Sequence, residues 1–295
     1  MNDRVLILGG SGMLGHRAYL EFRQRFDTKV TLRGLDGLPP VFNQAHVVSP
    51  VEARNLETVE RCIASMKPTV VINCVGIVKQ LASARDPVVS LTINSLFPHQ
   101  VAGFCRSAGA RLIHLSTDCV FSGRKGMYVE SDRPDPEDLY GQTKLLGEVA
   151  TDGALTIRTS IIGRELRTTT GLVEWLLSHR GGTVQGYKRA IFSGLTTEAL
   201  ARILAEIVAN HPNLTGLYHV AADPISKCDL LGRLNAQFRA GIIVEPSDAV
   251  QIDRSLDGSR FRAATQISAP SWNSMIAAMA ADPTPYEHWR RTVVS

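Results

Sequence analysis

A chain of 295 residues with 44% apolar and 20% charged residues holds enough core-forming material for one large or two modest domains, which excludes a disordered or collagen-like protein. Its 32 basic and 28 acidic residues leave a formal charge of +4 with no concentrated basic tract, so nucleic acid is not an expected partner. Apolar stretches such as residues 70–78 fall far short of the roughly 20 residues that cross a bilayer, and the run at 5–8 passes straight into glycines, so neither a membrane span nor a secretory leader is expected.

In chain order, residues 4–8 (RVLIL) form a short apolar run of the kind that makes a strand buried on both faces. It ends in GGSGMLG, which places Gly9, Gly12 and Gly15 in a G-x-x-G-x-x-G spacing before a stretch of helical period at 14–25. Glycines there permit a tight turn, close approach of a pyrophosphate to the N–H groups of the helix start, and close helix–strand packing. The turn predicts a bound dinucleotide, with Met13 and Leu14 among its contacts. The next run, 30–32, ends at Arg33. A guanidinium at that point forks onto a 2′-phosphate and favours NADP(H) over NAD(H); Asp36 is the ribose acid if the strand ends later. Residues 35–40 (LDGLPP) read as a loop.

Helical spacing at 55–66 leads to a further buried strand at 70–74. Cys74, Val75 and Gly76 at its carboxyl end are candidate cofactor contacts, because open α/β sheets bind ligands at that edge. Lys79 and Gln80 follow; Lys79 is either a contact to a substrate phosphate or a solvated loop lysine. Asn94 opens a helix running to residue 108, where it bridges backbone groups near the site or, as the preferred reading, serves structure as a cap. A strand at 112–115, a helix from 140 to about 149 and a strand at 155–159 complete the alternation. The pattern is an α/β fold with a doubly wound, Rossmann-like parallel sheet. Past Gly163 the alternation loosens into helices at 171–179, 197–210 and 228–238 separated by Gly- and Pro-containing turns, a smaller C-terminal substrate lobe. The expected division is a dinucleotide-binding domain at 1–163 and a substrate-binding lobe at 164–295, with segments free to interchange. The five cysteines, Cys62, Cys74, Cys105, Cys119 and Cys228, include no C-x-x-C pair and read as thiols of a reducing, cytoplasmic compartment.

The strand at 112–115 runs into STDCVFSG, and 23 residues beyond Thr117 comes Tyr140 in YGQTK, with Lys144 four positions on. Residues at i and i+4 share a helix face. A phenol is a poor acid or base near neutrality, but a nearby ammonium favours phenolate, so Lys144 is expected to tune Tyr140. Lys144 is also placed to hold nicotinamide ribose hydroxyls, and Thr117 to hydrogen-bond a substrate carbonyl. A lone Tyr/Lys pair is ordinarily a surface pair; the combination with the glycine turn is what carries the reading.

These residues together resemble the extended short-chain dehydrogenase/reductases. More narrowly, STDCVFSG, KGMYVESDRPDPEDLYGQTKLLGE and IRTS are similar to the dTDP-4-dehydrorhamnose reductase family, with weaker likeness through IFSGLTTEALARIL, GLYHVAADPIS and DRSLDGSRF. The resemblance implies an NAD(P)H-dependent reductase of the 4-keto carbon of a nucleotide-linked 6-deoxy sugar, with Thr117, Tyr140 and Lys144 as its catalytic triad. Two departures leave the sugar open: Ile161 stands where those enzymes often have tryptophan, and GIVKQ replaces a more alanine-rich run. A related epimerase or epimerase-reductase is one alternative. A non-catalytic subunit on the same fold, like the methionine adenosyltransferase beta subunit, is another.

Substrate contacts are expected from Lys79, Asp118 and Ile161, and from Tyr187 and Arg254 in the smaller lobe, since a nucleotide diphosphate needs cations and a stacking aromatic. Lys188, Arg189 and Arg260 belong to the same two segments, either of which is otherwise an exposed charged face. The histidines show no metal-ligand spacing, so no metal is expected, and the acidic loop from Glu130 to Asp138 reads as solvated. The expected partner is a nucleotide sugar, with no nucleic acid and no membrane; a homodimer is the expected assembly.

Overall fold

The computed structural model describes residues 3–36, 39–79, 82–151 and 153–292; Gln80 and part of the loop at 35–40 lie outside them. Strands and helices alternate through the first half. β1 (Arg4–Leu8) is followed by α1 (Met13–Phe22), β2 (Asp27–Thr31) and the two-residue β3 (Val47–Val48). α2 (Leu56–Met66) leads to β4 (Val70–Asn73), then come α3 (Pro87–Ser90), α4 (Phe97–Ala108), β5 (Arg111–Leu115), α5 (Leu139–Leu146) and β6 (Leu155–Arg158). The second half holds β7 (Ile161–Ile162), α6 (Leu172–Ser178), β8 (Thr183–Phe192), β9 (Leu195–Thr196), α7 (Thr197–Asn210) and β10 (Gly216–His219). It ends with β11 (Ile225–Ser226), α8 (Lys227–Phe238), β12 (Ile243–Asp253), α9 (Ser259–Thr265), α10 (Trp272–Ala280) and α11 (Tyr286–Thr292).

The central sheet has seven strands in the order β10-β6-β5-β4-β1-β2-β3, and every pairing in it is parallel. The doubly wound α/β fold expected from the sequence is therefore present. Alternation along each strand divides the core in two. Val5, Ile7, Val70 and Ile72 pack in one cluster with Ala18 and Phe22 of α1 and Leu200 and Leu204 of α7. Leu6, Leu8 and Val71 pack in the other with Val59 and Ile63 of α2 and Val101 of α4. Covering both faces is why these strands read as unbroken apolar runs; each side chain so buried contributes about 1.5–3 kcal/mol.

The chain winds outward from β1 through β2 to β3, then crosses back to β4 on the other side of β1. The carboxyl ends of β1 and β4 thus flank the switch point, where a doubly wound sheet opens a crevice. β10 comes from beyond residue 163 yet closes the edge of the central sheet beside β6. Residues beyond 163 form a second sheet, β11-β8-β12, with β8 and β12 parallel, and β7 pairs with β9.

The helix predicted to open at Asn94 begins earlier. Pro87 sits at its first turn behind the Asp86 cap, and residues 91–96 wind as a π-helix before α4, with the Phe97 N–H reaching the Thr92 carbonyl. Asn94 is thus inside the helix, not its cap. Among the described residues no helix is long and apolar enough to cross a membrane.

Candidate active site

The glycine turn follows β1. A Cβ on Gly15 would stand 2.1 Å from the Gly9 carbonyl oxygen, so α1 packs directly on the turn only because that side chain is missing. α1 starts at Gly12 with no side-chain cap and no acid in its first turn. Other helix starts are filled by Asp138, Thr196 and Ser226. The first N–H groups of α1, including those of Met13 and Leu14, are left for an outside anion, and the residues present fit a pyrophosphate. Val75, after β4, lies against Gly9, placing Cys74, Val75 and Gly76 beside the turn. Arg33, two residues past β2, is exposed and makes no ion pair among the described residues.

The Thr117, Tyr140 and Lys144 side chains meet at the carboxyl edge of the same sheet. Thr117 ends the extended chain after β5, accepting from the Cys119 N–H at 3.1 Å and donating to Asp118 Oδ1 at 3.1 Å. Asp138 caps α5 by accepting from the Gly141 N–H at 2.7 Å, which sets Tyr140 in the first turn and Lys144 one turn on. A Cβ on Gly141 would lie 2.2 Å from the Cys119 carbonyl oxygen, so the glycine of YGQTK lets α5 touch the Thr117 turn. That contact brings Thr117 and the Tyr140 phenol close enough for Thr117 to act on the phenol's acidity.

The electrostatics differ from expectation. Lys144 is buried, and its ammonium donates to the Leu115 carbonyl at 2.6 Å. Burial lowers its pKa to about 8, against the pull of Glu148 and Cys74. Tyr140 is pushed upward, not downward, chiefly by withdrawal from water and further by Cys119, Asp118 and Asp138; only Thr117 opposes. The expectation of a phenol depressed by Lys144 is therefore corrected: this arrangement keeps Tyr140 in its acid form. Asp118 is raised by burial, and the Cys119 thiol is pushed up to about 12 by burial and the neighbouring Asp118.

Asn94 joins these parts. Its Oδ1 accepts from the Ile77 N–H at 2.9 Å, and its Nδ2 donates to the Ile77 carbonyl at 3.1 Å and to Thr143 Oγ1 at 3.4 Å. Arg254 is brought to the Thr117 turn, with Nε on the Phe121 carbonyl at 2.8 Å and Nη1 3.7 Å from Cys119 Sγ. Lys79 is less free than a phosphate contact requires, since it pairs with Asp138 at 3.5 Å. Ile161 begins β7, half-buried opposite Leu195. Tyr187 lies mid-strand in β8, five residues and so roughly 16 Å before Phe192, away from the cluster. Lys188 pairs with Asp248 at 2.7 Å on the surface.

Sequence reasoning missed Lys227. It opens α8, holds its ammonium 4.0 Å over the Phe192 ring, and lies close enough to Asp118 and Cys119 for its charge to be felt there. A signal existed: a lysine directly after a Ser cap opposes the helix dipole, so it is seldom there for the helix's sake.

A parallel sheet with a glycine turn at its switch point and a Tyr-x-x-x-Lys helix beside it defines an extended short-chain dehydrogenase/reductase fold. Residues 3–284 match the family described as the RmlD substrate binding domain, and the chain belongs to that family. It is 30% identical over 171 residues, 56% of this chain and 54% of the relative, to a dTDP-4-keto-6-deoxy-D-glucose reductase of Streptomyces niveus. It is also 28% identical over 231 residues, 74% of this chain and 68% of the relative, to methionine adenosyltransferase 2 subunit beta of Danio rerio. The chain spans about two thirds of that beta subunit's length. Its fold resembles the crystal structure of dTDP-4-dehydrorhamnose reductase from Bacillus anthracis str. Ames in complex with NADP, with TM-score 0.80, 20% identity, and 95% and 99% of the two chains covered.

Proposed function

We propose that the protein is an NAD(P)H-dependent reductase of a nucleotide-linked 4-keto-6-deoxy sugar, serving the synthesis of a surface-polysaccharide sugar. One observation carries the reading: the Thr117 hydroxyl, the Tyr140 phenol and the Lys144 ammonium converge at the sheet edge beside an uncapped glycine turn. A nicotinamide cofactor held at the glycine turn by Gly9, Gly12 and Gly15 would supply the hydride for the ketone carbon. Thr117 donates a hydrogen bond to the ketone oxygen and fixes its direction. Tyr140 gives its proton to that oxygen as negative charge develops, leaving an alcohol and a phenolate that solvent reprotonates. A reductase needs this acid protonated beforehand, which an ordinary phenol already is near neutrality and which the upward push on Tyr140 preserves at higher pH. Lys144 holds the ribose hydroxyls and stabilises the transient phenolate.

Exposed Arg33 supports NADP(H) as the preferred cofactor, with the guanidinium on the 2′-phosphate. Lys79, Asp118, Ile161, Tyr187 and Arg254 remain the substrate contacts of this reading, with Asp118 and Arg254 best supported by their place at the turn. A dinucleotide-binding part at 1–163 and a substrate part at 164–295 serve this chemistry, β10 being lent back to the central sheet.

The reading is tested by incubating the protein with NADPH and a panel of dTDP-, UDP- and GDP-linked 4-keto sugars while following reduced-nicotinamide absorbance and product identity. Consumption of one NADPH per sugar reduced is expected. Conversion without net consumption would indicate an epimerase. NADPH binding with every sugar untouched would favour a non-catalytic subunit, the alternative the likeness to the beta subunit keeps in view.

A further inference from the structure

His16 is wholly buried in α1, among positions filled by Leu14, Ala18 and Phe22, where an imidazole gives up hydration that an apolar side chain never had. Both of its ring nitrogens are engaged. Nδ1 lies 2.9 Å from the Gly12 carbonyl oxygen, closer than the His16 backbone N–H, which donates to the same oxygen at 3.2 Å. Nε2 lies 3.0 Å from the hydroxyl of Tyr286, at the start of α11 and 270 residues further along the chain.

Burial lowers His16 to about 4, so near neutrality the ring is uncharged and carries one hydrogen. The Gly12 carbonyl can only accept, which assigns that hydrogen to Nδ1 and leaves Nε2 as an acceptor. The Tyr286 hydroxyl stands between two acceptors, Nε2 and Asp282 Oδ2, the latter 2.8 Å away. Asp282 does not depend on it, because Arg17 Nη1 at 2.8 Å and Thr284 Oγ1 at 2.9 Å also donate to that carboxylate. Tyr286 is held in turn by the Arg164 guanidinium 4.8 Å over its ring, and α11 by Arg290 on Glu174 at 2.6 Å. The imidazole is thus gripped at both ends.

Its grip on Gly12 governs the first peptide of α1. Gly12 spends its own N–H on the Gly9 carbonyl at 3.1 Å, so the Met13 N–H is the first that the turn leaves for an anion. The Gly12 carbonyl and the Met13 N–H belong to one planar trans peptide and point opposite ways, so holding the oxygen aims the hydrogen. We infer that His16 is a positioning residue of the dinucleotide site: through the Gly12 carbonyl it aims the Met13 N–H at the pyrophosphate, and Tyr286 holds the ring to that task. An anion on the Met13 N–H polarises the peptide and makes the Gly12 oxygen a better acceptor, so cofactor and imidazole reinforce each other. The inference rests on the proposed dinucleotide binding and extends it to side chains behind the turn, which offer the cofactor no surface of their own.

The test measures NADPH affinity by calorimetry, and Tm, for wild type, His16→Asn and His16→Leu. Asparagine puts an amide N–H where Nδ1 stands and gives up Tyr286; leucine fills the space and gives up both contacts. His16→Leu is expected to weaken NADPH at least about tenfold and His16→Asn by no more than about threefold, although both lose Tyr286. Equal loss in the two variants, full affinity in His16→Leu, or affinity that simply follows Tm overturns the inference. Should His16→Leu not fold, Tyr286→Phe reads the same link: about three- to tenfold weaker NADPH is expected, and unchanged affinity overturns it. Wild type that binds neither NADPH nor NADH overturns the dinucleotide reading, and the inference with it.

Discussion

Replacing Lys144 with methionine separates what this lysine costs the fold from what it does in the site. Lys144 is 5% exposed, and burial brings its pKa from 10.5 to about 8. At about 1.4 kcal/mol per pH unit, keeping the charge inside the protein at neutral pH costs on the order of 3 kcal/mol relative to the unfolded chain. Methionine removes that cost but leaves the Leu115 carbonyl without its 2.6 Å donor. The unpaired carbonyl costs about 1–3 kcal/mol. The variant is therefore expected to be as stable as wild type near neutrality, or up to about 2 kcal/mol more stable, while its turnover collapses. The folded value lies below the unfolded one, so between about pH 8 and 10.5 the unfolded chain holds a proton the folded chain has released. Wild-type stability from this group is then fullest above 10.5 and lost as pH falls to about 8. Urea unfolding of both proteins near pH 7 and about pH 9.5 should show the difference moving toward wild type by roughly 2 kcal/mol. A variant several kcal/mol less stable at pH 7, with a difference that does not change with pH, would refute the reasoning.

Tyr140→Phe removes only the proton donor, so kcat should fall by about 10²–10⁴ with NADPH affinity nearly unchanged in a calorimetric titration; unimpaired turnover removes the assigned role. Arg33→Ala should weaken NADPH by about tenfold more than NADH, and equal losses would show that this arginine does not read a 2′-phosphate. Gly15→Ala drives a methyl to 2.1 Å from the Gly9 carbonyl. It should cost about 1–3 kcal/mol of stability and most of the dinucleotide affinity; wild-type Tm and Kd together would contradict the close packing.

The central sheet was legible because strands covered on both faces are written as continuous apolar runs, and RVLIL and VVIN need no partner to be recognised. Helix α5, with its Tyr-x-x-x-Lys spacing, was legible because that spacing and its glycine are local. The long strands beyond residue 163 were not. β12 reads IVEPSDAVQID, is largely exposed, contains a proline and shifts register between Ser247 and Gln251, so it lacks both period and apolar content. β10 was hidden for a different reason: GLYH gains its meaning only from β6, some 60 residues earlier. Asn94 was placed on the correct helix but at its mouth, because a π-turn leaves no mark in the hydrophobic pattern. Lys227 was missed because the Phe192 ring it covers lies 35 residues earlier in the chain and meets it only through packing.

The Lys144 contact bears on how the site holds its geometry. A hydride donor and a proton donor must reach one carbonyl together, with reacting atoms about 3–3.5 Å apart, so the glycine turn and α5 have to be fixed against each other. They share no strand. The linkage runs instead through Val75 against Gly9, the Ile77 backbone on Asn94, and Asn94 and Ser95 on Thr143, the last at 2.8 Å. Asn94 and Ser95 both lie in the π-segment, and both are buried. A π-turn shifts the residues it contains relative to a regular α-helix, which turns two polar side chains from one helix toward two different neighbours. Lys144 closes the circuit by tying α5 to Leu115, the residue that leads into Ser116 and Thr117. The buried ammonium is thus a strut between α5 and the end of β5, a role that accounts for a charge retained at a cost the fold would otherwise avoid.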